Sequence, residues 1–161
     1  MIMDMNKEQL NVFLEMSTVL TAFSEYELKG TGQLEAYFNT VVEIVGQGIM
    51  DELLNAFAEV KKIANNNEAI LNKQLRFQLL SNDKLGPITR NIIKMWFIGS
   101  WYQLPNAWRE NYGESQKDIT FVVSANSFIE GLLWPSIDSH PPGAKAPGYG
   151  TWTNKPQITE L

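Results

Sequence analysis

The chain of 161 residues contains no cysteine and a single histidine. Without thiols there is no disulfide, no thiolate nucleophile and no cysteine-ligated zinc or iron–sulfur centre. His140 stands in Ser-His-Pro-Pro with no second ligand at helical or hairpin spacing, so it reads as structural or solvated rather than catalytic. Charge is scarce as well: Asp, Glu, Lys and Arg make up 19% of the chain, against a usual ~25%. The net charge of −5 gives a long-range field that repels phosphate, which argues against nucleic acid and anionic membrane surfaces as partners. No apolar run approaches the ~20 residues needed to cross a bilayer, so no direct membrane span is expected. The phosphate-binding, dinucleotide-binding, nucleophile-elbow and His-Glu-x-x-His patterns are all missing. The first ten residues, Met-Ile-Met-Asp-Met-Asn-Lys-Glu-Gln-Leu, have neither a basic n-region nor a twin-arginine pair. On that ground alone the expected compartment is the cytoplasm.

Apolar surface, by contrast, is plentiful. Hydrophobic residues reach 44%, with five tryptophans, and this apolar, ring-rich content set against scarce charge hints at a partner. The length predicts one domain burying roughly 70% of the surface its unfolded chain would expose.

Helical spacing dominates the pattern. Leu10, Phe13, Met16, Leu20 and Phe23 form one stripe, with Asn6 and Gln9 placed as a capping box. Leu34, Tyr37, Phe38, Val41 and Val45 form a second, ended or bent by Gly46 and Gly48. Ile49, Leu53, Phe57 and Val60 form a third, acidic at its start and basic at its end, and Ala64-Asn-Asn-Asn67 stops it. A weaker pattern from Glu68 to about Leu80 carries Leu71, Leu75 and Leu79. After Gly86-Pro87, a helix reaching Trp101 is apolar on most of its circumference and belongs in the centre of the body. The stretch from Pro105 to Asp118 reads as irregular. Ile119, Phe121 and Val123 alternate as an extended segment or helix lead-in, and Ser124 to Trp134 predicts a short final helix with Phe128, Leu132 and Leu133 on one side. The expectation is an all-α, single-domain helical bundle of five to six helices over residues 1–134, followed by an extended Pro/Gly-rich C-terminal arm over 135–161.

That arm holds five of the seven prolines (Pro135, Pro141, Pro142, Pro147 and Pro156) together with Tyr149 and Trp152. Prolines and glycines disfavour a helix there, and a solvated linker has nothing against which to bury aromatic rings. The arm therefore lies on the chain's own helices, on another protein, or on both.

Candidates for chemistry are few. Asp51, Glu52 and Glu59 share one helix and read as a solvated face, while Glu130, between apolar residues, is a candidate buried polar contact. A small enzyme built on Glu130 and His140 lacks an identifiable partner for either group. Trp101, Tyr102 and Trp108 offer the alternative of a stand-alone carbohydrate-binding helical module, with the rings as a stacking platform.

The segments Phe13-Leu-Glu-Met-Ser17-Thr-Val-Leu20-Thr21, Ile92-Ile-Lys-Met-Trp96-Phe97-Ile-Gly99, Phe128-Ile-Glu-Gly-Leu-Leu133-Trp134-Pro135 and Pro147-Gly-Tyr-Gly-Thr-Trp152-Thr-Asn-Lys-Pro156 occur in an informative order. In that order the chain resembles the small (gamma) subunit family of membrane-bound FAD-dependent sorbitol, fructose and glucose dehydrogenases. The resemblance implies an accessory protein without a redox centre. Such a subunit would bind and help mature a large FAD-containing subunit of glucose-methanol-choline type and, through it, meet a membrane cytochrome c subunit. It further implies that FAD belongs to the partner, that this chain binds no cofactor or metal, and that co-export with the partner leads to the periplasm. The motif positions carried over as partner-binding are Trp96, Trp134, Pro135, Pro147, Tyr149, Trp152 and Pro156. The chain departs from the family pattern in lacking a twin-arginine segment and a cysteine near the tail, in Phe97 for the usual tyrosine, and in Ala22 for the glycine after Thr21.

Overall fold

The structure, a computed structural model, describes the backbone of residues 2–146 and the side chains of 7–146. Helices form where the apolar stripes fall: α1 (Ile2–Thr21), α2 (Glu25–Gly30), α3 (Leu34–Val45), α4 (Gln47–Ala64), α5 (Glu68–Gln74), α6 (Leu85–Ile98), α7 (Asn106–Tyr112), α8 (Ala125–Ile129) and α9 (Leu133–Ser136). A π-helical segment, Leu75–Leu80, continues α5. Two short strands, β1 (Ser100–Trp101) and β2 (Phe121–Val122), pair antiparallel with Ser100 opposite Val122. The fold is all-α, with this small ribbon at one end of the central helix.

The expected stripes are the core. Phe13 and Met16 of α1, Tyr37 and Val41 of α3, Leu53, Phe57 and Val60 of α4, and Ile88 and Ile92 of α6 are all fully or nearly fully buried. Each such side chain contributes about 1.5–3 kcal/mol relative to exposure. α6 is the shared wall, packing against α1, α3, the π-helical segment and α8. Pro87 lies in its first turn, where a missing N–H costs no intrahelical bond.

Several boundaries differ from those predicted. α1 already runs from Ile2, so Asn6 lies inside the helix rather than at its start. Gln9 instead donates to Asp51 on α4 at 2.7 Å. A capping box does form at Ser24–Glu27, at the start of the unpredicted α2. α6 stops at Ile98 because Gly99 takes φ +68°, and the next two residues become β1, the partner that the extended segment at Phe121 needed. α7 occupies a stretch expected to be irregular, and the single helix expected over Ser124–Trp134 is broken into α8 and α9 around Gly131. Pro135 belongs to α9, so the last helical turn among the described residues crosses the expected boundary between body and arm.

Trp96 is the clearest correction. Expected at a partner surface, it is 1% exposed. Its indole N–H donates to Ser17 Oγ on α1 at 2.9 Å, and its ring meets Tyr37 of α3 edge-on, centroids 4.9 Å apart. The ring is enclosed because it is the point at which α1, α3 and α6 meet. It shapes the body and presents nothing outward.

Among the described residues, no helix is long and apolar enough to cross a membrane.

Candidate partner-binding surface

The C-terminal end of α6 builds the site. A helix leaves its last carbonyls without intrahelical partners, and here the following chain supplies donors for two of them. Leu132 N–H donates to the Trp96 carbonyl at 3.0 Å, and Val123 N–H to the Gly99 carbonyl at 2.9 Å. Ser127 Oγ reaches the same Gly99 carbonyl at 2.9 Å. Ser127 is itself fixed by a reciprocal pair with Ser124, each main-chain N–H donating to the other's hydroxyl, which starts α8. Residues 123–132 thus act as the cap of the central helix, and two glycines permit the close approach. A Cβ on Gly99 would meet the Ser127 carbonyl carbon and oxygen at 2.5 Å, and one on Gly131 would meet the Phe97 carbonyl oxygen at 2.7 Å.

Beyond that anchor the apolar side chains turn outward. Phe128, expected to face inward beside Leu132, is instead 40% exposed, and Leu132 alone is buried. The Phe128 ring packs edge-on against Trp134, centroids 5.5 Å apart, and the Trp134 indole N–H donates to the Phe128 carbonyl at 2.9 Å. The pair holds α9 against α8 without either ring being enclosed: Trp134 is half-buried and Pro135 and Ile137 are exposed. The backbone then reverses, with Asp138 at φ +51° and Ser139 N–H donating to the Trp134 carbonyl at 2.8 Å.

Under this edge lies a cavity of about 420 Å³, with walls that include Phe23, Leu132, Trp134, Pro135 and Pro141 and a polar contribution from Glu27, Glu130 and His140. Glu130 and His140, for which the sequence offered no partners, therefore share one cavity. Glu130 is held by Lys145 at 2.7 Å, a half-exposed pair of small energetic weight. At the base of the site, burial raises the Tyr37 phenol well above its ordinary value; a hydrogen bond with Ser127 opposes the shift and the Glu130 charge adds to it. At the rim, hydrogen bonds from the Ser24 hydroxyl and main chain lower the Glu27 carboxyl below its ordinary value.

Trp134 and Pro135 thus lie on one surface, while Trp96 is buried beneath it. Pro147, Tyr149, Trp152 and Pro156 lie outside the described residues. The three rings offered as a sugar platform do not share a surface. Trp101 is fully buried with its indole N–H on Asp118 at 2.9 Å, and Trp108 is 5% exposed with its N–H on the Lys84 carbonyl at 2.7 Å. Only Tyr102 reaches solvent, beneath the Lys94 ammonium. The carboxylates of α4 likewise serve separate contacts: Asp51 accepts from Gln9 and Gln47, Glu52 from Lys84, and Glu59 stands 3.8 Å from Lys62. Among the described residues, no group of three or more His, Cys, Asp or Glu side chains is placed to hold a metal ion.

One structural hub went unseen in the sequence. Asp118, 2% exposed, accepts from Trp101 and from the Leu104 main chain, with Arg109 Nε 3.7 Å away. A lone aspartate in a polar stretch carries no periodic signal that would mark it as buried.

Compared with family models, with curated proteins and with solved structures, the chain matches none.

Proposed function

We propose that this protein is a noncatalytic small subunit or maturation chaperone of an FAD-dependent sugar or polyol dehydrogenase of the glucose-methanol-choline type. The single observation that carries the reading is the outward-facing Phe128–Trp134 pair, continued by Pro135 and Ile137 and leading into a proline-rich arm with two further large rings. Aromatic rings with a satisfied polar handle bind proteins well, because they bring large contact area at small entropic cost. The partner is the one that the resemblance of the ordered motifs implies: the large flavin-carrying subunit, which holds FAD, with a membrane cytochrome c subunit reached through it. Co-export with that partner would lead to the periplasm.

The mechanism is mass action. A chain that binds the folded large subunit and not its unfolded form stabilises it by RT ln(1 + [L]/Kd), about 2.7 kcal/mol at a hundredfold excess over Kd. No chemistry is required of the chain itself. The rigid capping of α6 by residues 123–132 keeps the surface pre-formed, so little ordering cost is incurred on docking.

Co-expression with a flavoprotein of this type encoded beside it is the test. The expected result is a co-purifying complex, with more soluble and more FAD-loaded large subunit than in its absence. Equal solubility, equal flavin content and no co-purification would refute the proposal.

A further inference from the structure

The cavity below Trp134 lies where the described chain ends: Lys145 and Ala146 form part of its wall, and fifteen further residues, 147–161, follow. We propose that this cavity is the seat of the chain's own tail, with the Trp152 indole as the group that enters it. The inference concerns the free chain, and does not depend on the identity of any partner.

Three observations on the cavity and the sequence lead to this occupant. The first is fit. A cavity of about 420 Å³ falls in the range of sites that receive a single compact group, roughly 300–1,000 Å³. Its walls combine apolar faces from Phe23, Leu132, Trp134 and Pro141 with a carboxylate from Glu130. An indole has the same two parts, a flat apolar body and one N–H donor that needs an acceptor when buried.

The second is reach. Trp152 is six residues beyond Ala146, and an extended chain covers about 3.3–3.6 Å per residue, so the tether of roughly 20 Å allows a departure and a return. The intervening Pro147-Gly-Tyr-Gly150 has the composition of a reversing turn. Of the two large rings in the tail, Tyr149 follows Ala146 by three residues and Trp152 by six, and the longer tether leaves more chain for a return. The third is tethering. A linker this short gives an effective concentration in the millimolar range, so even a weak intrinsic affinity keeps the seat occupied.

The absence of native cysteine makes the test clean. Ser139, exposed at the cavity wall, and Thr153, next to Trp152, are replaced in the full chain as Ser139→Cys with Thr153→Cys, and a sister variant uses Thr151→Cys. A control pairs Thr153→Cys with Gln116→Cys, at a different cavity between α3 and the chain leading into β2. Because a disulfide forms only when the Cα atoms approach within about 7 Å, mild oxidation at micromolar protein reports proximity. Far-ultraviolet circular dichroism verifies that each variant is folded.

The expected result is an intramolecular disulfide in at least one Ser139 pair, forming about tenfold or more faster than in the control and slowed to the control rate by Trp152→Ala. Disulfide-linked dimers as the main product would assign the seat to a second copy's tail and overturn the proposal. So would closure no faster than the control, or closure indifferent to Trp152→Ala. No flavoprotein is present in the experiment, so its outcome is separable from that of the co-expression test.

Discussion

Trp96 and Trp134 make the same local contacts and occupy opposite situations. Each indole N–H donates at 2.9 Å and each ring meets another aromatic edge-on. Trp96 bonds to a residue 79 positions away and is sealed between three helices; Trp134 bonds to one six positions away and stays half open to water. A hydrogen bond to distant chain makes the ring a joint of the fold. The same bond to nearby chain only sets the ring's angle and leaves its face for something else. Satisfied polar groups therefore do not distinguish core from interface in this protein; the sequence separation of the contacts and the residual exposure do.

That comparison can be broken most forcefully at Trp96. Trp96→Ala is expected to destabilise the chain by about 3–5 kcal/mol, because it opens a large cavity and strips the indole donor from Ser17 Oγ. Urea denaturation measures it; a loss below about 1 kcal/mol would show that the three-helix junction does not depend on the ring. Trp134→Ala should behave in the opposite manner, weakening partner binding by ~2 kcal/mol while costing less than that in stability, since a half-exposed ring loses less on truncation. Affinity and melting temperature measured on one preparation discriminate, and a variant that melts far earlier yet binds normally would move Trp134 to the core side of the comparison.

A smaller effect is expected at the start of the cavity wall. Ala22 sits at φ +62°, immediately before Phe23. A left-handed conformation costs an L-residue roughly 1–2 kcal/mol, so Ala22→Gly should stabilise the protein by about 1 kcal/mol in the same denaturation assay, glycine's extra unfolded-state freedom offsetting part of the gain.

The smallest effect concerns Tyr37, which links the two tryptophans' neighbourhoods. Its phenol holds its proton to higher pH in the folded chain than the ordinary value of 10. Above that pH the unfolded chain loses the proton first, so the folded state binds more protons and stability falls as pH rises. The contribution is present in full below pH 10 and is lost progressively toward the raised value. Tyr37→Phe should therefore flatten the alkaline limb of a stability-against-pH curve relative to the parent. Parallel limbs would mean that burial does not hold the phenol neutral.

Much of the body was legible in the chain. Phe13 and Met16, Leu53, Phe57 and Val60, and Ile88 and Ile92 repeat at helical intervals, and burial follows that period directly because one face of each helix must leave water. Short elements were less legible. α2 and α7 span six and seven residues, too few for a stripe to repeat, although the Ser24–Glu27 box was a readable start signal. The candidate surface is less legible: the sequence marks Trp134 and Pro135, whereas a continuous helix would place Phe128 inward beside Leu132. The break at Gly131 rotates the two apart.

Composition and periodicity by themselves determined that this chain is helical, has no thiol chemistry, and places an apolar helix after Pro87 at its centre. They could do so because those properties depend on residue type and on spacing within one element. Which tryptophan closes the core and which opens outward was decided only by tertiary structure. That choice depends on where the carbonyls at the end of α6 find their donors, and those donors come from a segment some thirty residues along the chain, Val123 to Leu132, whose own sequence has no period that points back to them.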